Sequence, residues 1–200
     1  LWDFDGVILD SMKVRDWGFK EIFKDFDQVL VGKLLEFHRK NGGLSRYVKI
    51  RYFFEKIIGK SVTEEEVLKY AIKFSTLMRN ELTNSNNLIL DSVNFIKSKH
   101  KEYNFHIVSG SDEEELKFLS KQLKIDQYFI SIHGSPTPKN SLVANLLEYN
   151  NYNKLSTCLV GDSINDYEAA IANGITFFGY NNIDLLELGP YIYSFNNHNF

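Results

Sequence analysis

After residue 87 the chain alternates short apolar segments with longer amphipathic ones, and this alternation limits the folds that it can adopt. The apolar segments are predicted to be strands, at 105–108, 128–132, 157–160 and 175–178. The amphipathic segments are predicted to be helices, at 88–100, 111–124, 139–149 and 166–173, with Ser111 as the N-cap of the second. Such alternation is typical of an α/β fold with a mostly parallel sheet and helices on both faces.

The region between residues 11 and 87 has a different pattern. Apolar residues recur there at helical spacing, as in Trp17, Phe19, Ile22 and Phe23. Thr63 and Glu66 form a capping-box pattern that opens a longer helix, and the polar run 83–87 is typical of a linker. We therefore predict a core made of residues 1–10 and 88–200, with residues 11–87 inserted as a helical cap.

Acidic residues close the first predicted strand. Asp3 and Asp5 are two residues apart in an extended segment, so both point to the same face, and Gly6 follows them. Two neighbouring carboxylates repel each other, which favours a divalent cation, a shared proton or both at this place.

Polar residues also follow the later strands, and ligands bind at the carboxyl ends of strands in open parallel sheets. These residues are Ser109 with Gly110, Lys139 after Pro138, and Asp162 with Asp166. Together with Asp3 and Asp5 they supply what phosphoryl transfer needs, namely a nucleophile, an acid, phosphate ligands and metal ligands. We assign attack on phosphorus to Asp3, proton transfer to Asp5, and phosphate binding to Ser109, the amide of Gly110 and Lys139.

The order and spacing of these motifs resemble the haloacid dehalogenase (HAD) superfamily. The motifs are Asp-x-Asp-Gly-Val, a strand-terminal Ser, a Lys after a Pro, and Gly-Asp-Ser-x-x-Asp-x-x-Ala-Ala. The resemblance implies a Rossmann-like three-layer core, dependence on Mg²⁺ and an aspartyl-phosphate intermediate. It implies that Asp3 and Asp162 bind the metal through their carboxylates and Asp5 through its main-chain carbonyl. An insertion after the first motif resembles the helical C1-type cap of the phosphoglycolate-phosphatase and β-phosphoglucomutase branch.

Two assignments have alternatives. Asp166 either binds the metal directly or orients its neighbours. The basic run 38–51 is either a solvated face or a loop that closes over the site, with Arg46 or Lys49 binding an anionic substrate.

The predicted function is a Mg²⁺-dependent phosphatase for a small phosphorylated metabolite, such as a sugar phosphate or a phosphoglycolate-like compound. A phosphomutase of the β-phosphoglucomutase type is the alternative. That branch typically carries a His early in the cap, where this chain has Arg15. A non-catalytic phosphate-binding module would usually lose a motif residue. A dehalogenase would lack the acid that Asp5 supplies.

Composition narrows the remaining choices. The net charge of −3 argues against nucleic acid as a partner, and the single cysteine excludes an intrachain disulfide framework. No apolar stretch reaches the ~18 residues that a membrane span needs, and no signal peptide is visible. We expect a cytoplasmic protein, although the chain opens in mid-strand and residues can precede Leu1. Its oligomeric state has no sequence signal.

Overall fold

A parallel sheet lies at the centre of the computed structural model, which describes residues 1–196 and 198–200. The apolar segments after residue 87 form its strands and the amphipathic segments form the helices around it, so the fold is α/β as predicted. Its strands are β1 His106–Asp112, β2 Ser131–Ser135, β3 Cys158–Gly161, β4 Thr176–Tyr180 and β5 Tyr191–Ile192.

The opening segment of the chain lies in the middle of this sheet. Trp2 pairs in parallel with Ile107 of β1 on one side and with Val160 of β3 on the other. The amide of Asp3 donates to the carbonyl of Val160 at 2.9 Å. The strand order is therefore β2–β1–opening segment–β3–β4–β5, with every pairing parallel. Asp3 and the residues after it thus leave the sheet between the ends of β1 and β3.

Helices cover both faces of the sheet because its central strands are apolar on both sides. These helices are α5 Leu90–Lys99, α6 Glu113–Gln122, α7 Lys139–Tyr149 and α8 Ile164–Asn173. Leu1, Val108 and Leu159 belong to the same buried cluster as residues of α7 and α8. Their chain neighbours Trp2 and Val160 point the other way and pack with residues of α5 and α6. This alternation gives the three-layer, Rossmann-like core.

Most predicted elements of the core are confirmed, with shifts at their ends. Helix α7 has the predicted bounds, and α8 ends at Gly174 as expected. Strand β2 begins three residues later than predicted because a 3₁₀ turn occupies Asp126–Tyr128. The prediction that Ser111 caps α6 is wrong, since the Asp112 side chain accepts from the amide of Glu115 instead. Strand β5 was missed, because two residues carry too little pattern to be recognised.

The segment between residues 11 and 87 is helical, as predicted. Its helices are α1 Met12–Ile22, α2 Gln28–Lys40, α3 Arg46–Tyr52, which continues as a π-helical turn Phe53–Ile58, and α4 Glu64–Glu81. Thr63 and Glu66 form the predicted capping box at the start of α4. Buried aromatic rings, among them Phe19, Phe23 and Phe74, fill the space between the helices.

The chain enters and leaves this helical segment at one place. Leu9 and Leu88 form an antiparallel bridge, and the amide of Asp10 donates to the carbonyl of Asn87 at 2.8 Å. The domain boundaries at 10/11 and 87/88 stay a prediction.

Across the described residues, the helices are all too short or too polar to cross a bilayer.

Candidate active site

Acidic and basic side chains converge at the carboxyl ends of the opening segment and of β3. The Nζ atom of Lys139 lies 2.9 Å from Oδ1 of Asp3 and also donates to Oδ1 of Asp166. Oxygen atoms of Asp3, Asp162 and Asp166 all lie within 4.8 Å of one another. Strand ends and the first turns of α7 and α8 therefore place four predicted site residues in one small volume.

This cluster is buried, which changes its protonation. Burial and the nearby carboxylate of Asp166 raise the pKa of Asp3 to about 6, even though the Lys139 ammonium opposes this. Burial and the charge of Asp3 raise the pKa of Asp162 well above its ordinary value. Burial alone would lower the pKa of Lys139, but Asp166 and Asp3 outweigh it and hold that pKa above its usual range. Lys139 is therefore a permanent cation among mutually repelling carboxylates.

The carboxylates fit a hard divalent cation such as Mg²⁺. Oxygen donors are what this ion prefers, and here one lysine ammonium faces three carboxylates. Gly6 makes room for Asp162: its backbone has a positive φ of 77°, and a Cβ atom there would lie 1.9 Å from Oδ2 of Asp162. A divalent cation would offset the repulsion that raises the pKa values of Asp3 and Asp162.

Asp166 has donors on both carboxylate oxygens. Its Oδ1 accepts from Lys139, and its Oδ2 accepts from the amide of Ser163 at 3.1 Å and from the hydroxyl of Ser163 at 2.6 Å. The bond from the Ser163 amide belongs to a capping box at the start of α8. These contacts favour the orienting role over direct ligation, and either assignment for Asp166 stays a prediction.

Asp5 lies apart from that cluster and has its own donors. The Nε atom of Arg15 lies 2.7 Å from Oδ1 of Asp5, the hydroxyl of Ser111 donates to Oδ2 at 2.5 Å, and the hydroxyl of Ser11 donates to Oδ1. Burial alone would raise the pKa of Asp5, but Arg15 and the two hydroxyls outweigh it and hold that pKa below its usual range. Asp3 and Asp5 are only two residues apart in the sequence, yet their surroundings shift their pKa values in opposite directions.

Three of these partners were missed by sequence reasoning. The sequence predicts Ser111 as a helix cap, gives Ser11 no role, and marks Arg15 only as a departure from the mutase pattern. Ser11 and Arg15 are four residues apart where α1 begins, so they share a face of that helix. This four-residue spacing, so soon after Asp5 in the chain, is the sequence signal that could have predicted Ser11 and Arg15 as partners of Asp5.

The predicted phosphate loop lies at the end of β1. Ser109 is buried, and its hydroxyl accepts from the amide of Ser111 at 3.3 Å. Helix α6 begins at Glu113, so the amides of Gly110 and Ser111 precede the helix rather than form its N-terminus. Gly110 lies directly beneath the cap: a Cβ atom there would be 2.0 Å from the carbonyl oxygen of Gly43.

Two basic residues of the cap face the same site. Arg46 and Lys49 are buried, and together with Arg15 and Gly110 they line a cavity of about 20 Å³. A second cavity of about 10 Å³ next to Asp3 is lined by residues of both the core and the Gly42–Gly43 turn. Burial and the charge of Arg15 lower the pKa of Lys49 to about 7. The basic run is therefore not a uniformly solvated face.

Two asparagines that the sequence did not single out hold the loops of the site. The side chain of Asn181 donates to the carbonyl of Gly6 at 2.9 Å, and that of Asn182 donates to the carbonyl of Asp162 at 2.7 Å. They follow β4, whose carboxyl end lies on the same edge of the sheet. Their contacts fix the backbone on either side of the acidic cluster.

Comparison with known proteins gives a family. The sequence model of the haloacid dehalogenase-like hydrolases matches residues 1–180. A search of curated proteins finds no match. Among solved structures, β-phosphoglucomutase from Clostridium difficile is similar with a TM-score of 0.77 and 16% identity, over 100% of this chain and 92% of that one.

Two further structures are similar at the same level. A predicted phosphoglycolate phosphatase from Haemophilus somnus has a TM-score of 0.66 and 17% identity, over 98% of this chain and 86% of that one. The HAD-hydrolase YfnB from Bacillus subtilis, bound to magnesium, has a TM-score of 0.70 and 14% identity, over 96% and 92%. These likenesses establish the fold, and the family match over residues 1–180 goes further: the chain belongs to the haloacid dehalogenase-like hydrolases.

Proposed function

We propose that this hydrolase is a Mg²⁺-dependent phosphatase that acts on a small phosphorylated metabolite through an aspartyl-phosphate intermediate. The observation that carries the proposal is the pairing of Asp3 with Lys139 on one side of the site and of Asp5 with its hydroxyl and guanidinium donors on the other. A nucleophile and a proton carrier are thereby held in separate environments on one strand end.

In the first half-reaction, a carboxylate oxygen of Asp3 attacks phosphorus and the bond from phosphorus to the ester oxygen breaks. Asp5 takes up the proton of the incoming phosphate monoanion and donates it to that departing oxygen, so the product leaves as an alcohol. Lys139 orients the Asp3 carboxylate, and Ser109 with the amide of Gly110 binds the phosphoryl oxygens. Bound Mg²⁺, held by Asp3, Asp162 and the main-chain carbonyl of Asp5, would neutralise charge on the phosphoryl group.

In the second half-reaction, water attacks the phosphorus of the aspartyl phosphate. Asp5 accepts a proton from that water, which restores the Asp3 carboxylate and releases inorganic phosphate. The hydrogen bonds from Ser11, Ser111 and Arg15 keep Asp5 in the orientation that both steps need. The same residue thus serves as acid and then as base.

For the substrate, we propose a compact phosphate ester with an anionic or strongly polar remainder. The space between cap and core is small, and Arg46 and Lys49 line it. Buried cations attract a carboxylate or a second phosphate more strongly than a neutral group. A phosphoglycolate-like compound or a small sugar phosphate satisfies both conditions.

The test is phosphate release from a panel of sugar and acid phosphates with the purified chain. Phosphate release that requires Mg²⁺ is the expected result. A mutase would instead isomerise a sugar phosphate when a sugar bisphosphate is added, without net release of phosphate, and NMR of the products distinguishes the two. No Mg²⁺-dependent turnover of any phosphate ester would contradict the proposal.

A further inference from the structure

Glu115 is a fully buried carboxylate that the proposed reaction does not use. It lies in the first turn of α6, in the core, and its Oε1 is 3.1 Å from Nη1 of Arg15. Its Oε2 is 2.6 Å from Nη1 of Arg46. The two arginines come from different cap helices, α1 and α3, so a single core carboxylate joins both to the core.

One of these arginines, Arg15, also contacts Asp5, the proposed proton carrier. Arg15 contacts Glu115 through Nη1 and Asp5 through Nε, so its guanidinium bridges the two carboxylates. The side chains of Glu115, Arg15 and Arg46 are each at most 5% exposed. In such a dry setting these charges interact strongly, and removing one of them leaves its partner buried and uncompensated.

The other arginine is anchored inside the cap. The Nη1 atom of Arg46 donates to the hydroxyl of Ser75 at 2.6 Å, and its guanidinium lies 4.8 Å from the centre of the Phe74 ring. Both residues belong to α4. Glu115 therefore binds a side chain whose place is fixed by the packing of the cap helices, which makes the contact sensitive to where the cap sits.

The same turn of the core receives a second cap contact. The hydroxyl of Tyr47, next to Arg46 in α3, donates to Oδ2 of Asp112 at 2.8 Å. Asp112 and Glu115 are the N-cap and the third residue of α6, directly after the predicted phosphate loop. Within the part of the chain that the structure describes, Tyr47 forms no hydrogen bond with Asp5. Its bond to Asp112 therefore holds the cap on the core without involving the proton carrier.

We propose that Glu115 is a positioning residue, which presents the guanidinium of Arg15 to Asp5 when the cap is docked and so aligns Asp5 for proton transfer. This inference rests on the proposed role of Asp5. When the cap moves away, α1 and α3 leave Glu115 together, and Asp5 loses its alignment. Cap docking and proton transfer are thereby coupled through one side chain.

The coupling predicts a dependence on the leaving group. An alkyl phosphate needs a proton on its departing oxygen, whereas 4-nitrophenolate leaves without one. Misalignment of Asp5 should therefore slow an alkyl ester more than an aryl ester. A residue that only stabilised the fold would lower both rates together.

The experiment compares Glu115→Gln with the wild type on 4-nitrophenyl phosphate and glycerol 2-phosphate, with Mg²⁺. We expect kcat for glycerol 2-phosphate to fall about tenfold or more, as expected for a weakened general acid. We expect kcat for 4-nitrophenyl phosphate and both KM values to change far less. The matched control is Tyr47→Phe, which removes the neighbouring cap contact and should leave the ratio of the two kcat values as in the wild type.

If Glu115→Gln does not fold, the double variant Glu115→Leu with Arg46→Met removes one charge of each sign and should show the same change in the kcat ratio. An unchanged ratio in whichever variant folds, or an equal change in Tyr47→Phe, would overturn the inference. A wild type that hydrolyses neither these two esters nor any other phosphate ester of the panel would overturn the proposed function, and the role of Glu115 would fail with it.

Discussion

The core side and the cap side of the site carry opposite charge and differ in how the chain builds them. On the core side, Asp3, Asp5 and Asp162 are carboxylates placed by strand ends. On the cap side, Arg15, Arg46 and Lys49 are buried cations placed by helix faces. The site thus combines an acidic half with a basic one, and only cap docking brings them together.

The two sides of the site are therefore positioned by different parts of the fold. Parallel strands end at one edge of a sheet, so the acidic residues are positioned by the sheet itself and depend little on the cap. The basic residues reach the site only through the packing of helix on core. We therefore expect the nucleophilic chemistry to fail when the core side is changed, and selectivity, closure or the alignment of Asp5 to fail when the cap side is changed.

The largest effect should come from Asp3→Asn, which removes the nucleophile on the core side. Loss of a nucleophile that acts with other groups as a unit costs on the order of 10⁴-fold or more in kcat. Hydrolysis of 4-nitrophenyl phosphate with Mg²⁺ measures it. The fold should be retained, because the change removes one of three mutually repelling carboxylates, and thermal unfolding checks this. Turnover near the wild-type level would contradict the assignment of Asp3.

The next effect should come from Gly110→Ala, which acts at the contact between the two sides. The added Cβ would lie 2.0 Å from the carbonyl oxygen of Gly43, and a backbone atom cannot move aside easily. A misplacement of about 1 Å can lower kcat/KM by up to ~100-fold, and we expect a loss in this range.

Its matched control is Gly32→Ala, in α2 of the cap, where a Cβ atom would meet nothing within 4 Å. That variant should keep the wild-type kcat/KM and gain slightly in stability, since alanine favours a helix. Equal activity of both variants would mean that contact between Gly43 and Gly110 is not needed for turnover.

A smaller and more selective effect should come from Lys49→Met on the cap side. A charge-assisted hydrogen bond contributes about 1.5–3 kcal/mol, so KM for phosphoglycolate should rise roughly tenfold or more. KM for ethyl phosphate, which lacks the carboxylate, should rise much less. Steady-state kinetics on the two esters measures the difference. A similar rise for both would show that Lys49 does not contact the remainder of the substrate.

The same residue should give the site a pH dependence. Because burial and Arg15 lower the pKa of Lys49 to about 7, its ammonium is mostly present at pH 6 and mostly lost at pH 8. KM for phosphoglycolate should therefore rise more steeply from pH 6 to pH 8 in the wild type than in Lys49→Met. The variant also corrects for ionisation of the ester itself, and parallel pH profiles would contradict this prediction.

The difference between the core side and the cap side also explains which site residues could be predicted from the sequence. Asp3, Ser109, Lys139 and Asp162 follow strands or open a helix, so topology alone brings them to one edge of the sheet. The position of Arg15 depends on how α1 docks on the core, and no local pattern encodes that docking. Ser111 shows the limit even within the core: serine and aspartate both cap helices, and the nearby carboxylate of Asp5 decides that Ser111 binds it while Asp112 caps α6.

The smallest effect should come from Arg39→Ala, because Arg39 belongs to the same basic run as Arg46 but is solvated. Its side chain is 57% exposed and pairs with Asp16 at 2.7 Å. Exposed ion pairs contribute about 0–1 kcal/mol, so the melting temperature should fall by no more than ~4 °C.

Arg46→Ala provides the comparison, because it leaves Glu115 with one fewer partner in a dry interior. Breaking such a pair costs roughly 3–5 kcal/mol. Thermal unfolding of the two variants side by side separates the alternatives for the basic run. A large loss for both would make the whole run part of the cap–core contact. A small loss for both would mean that the cap spends little time docked, since a contact that seldom forms cannot stabilise the fold.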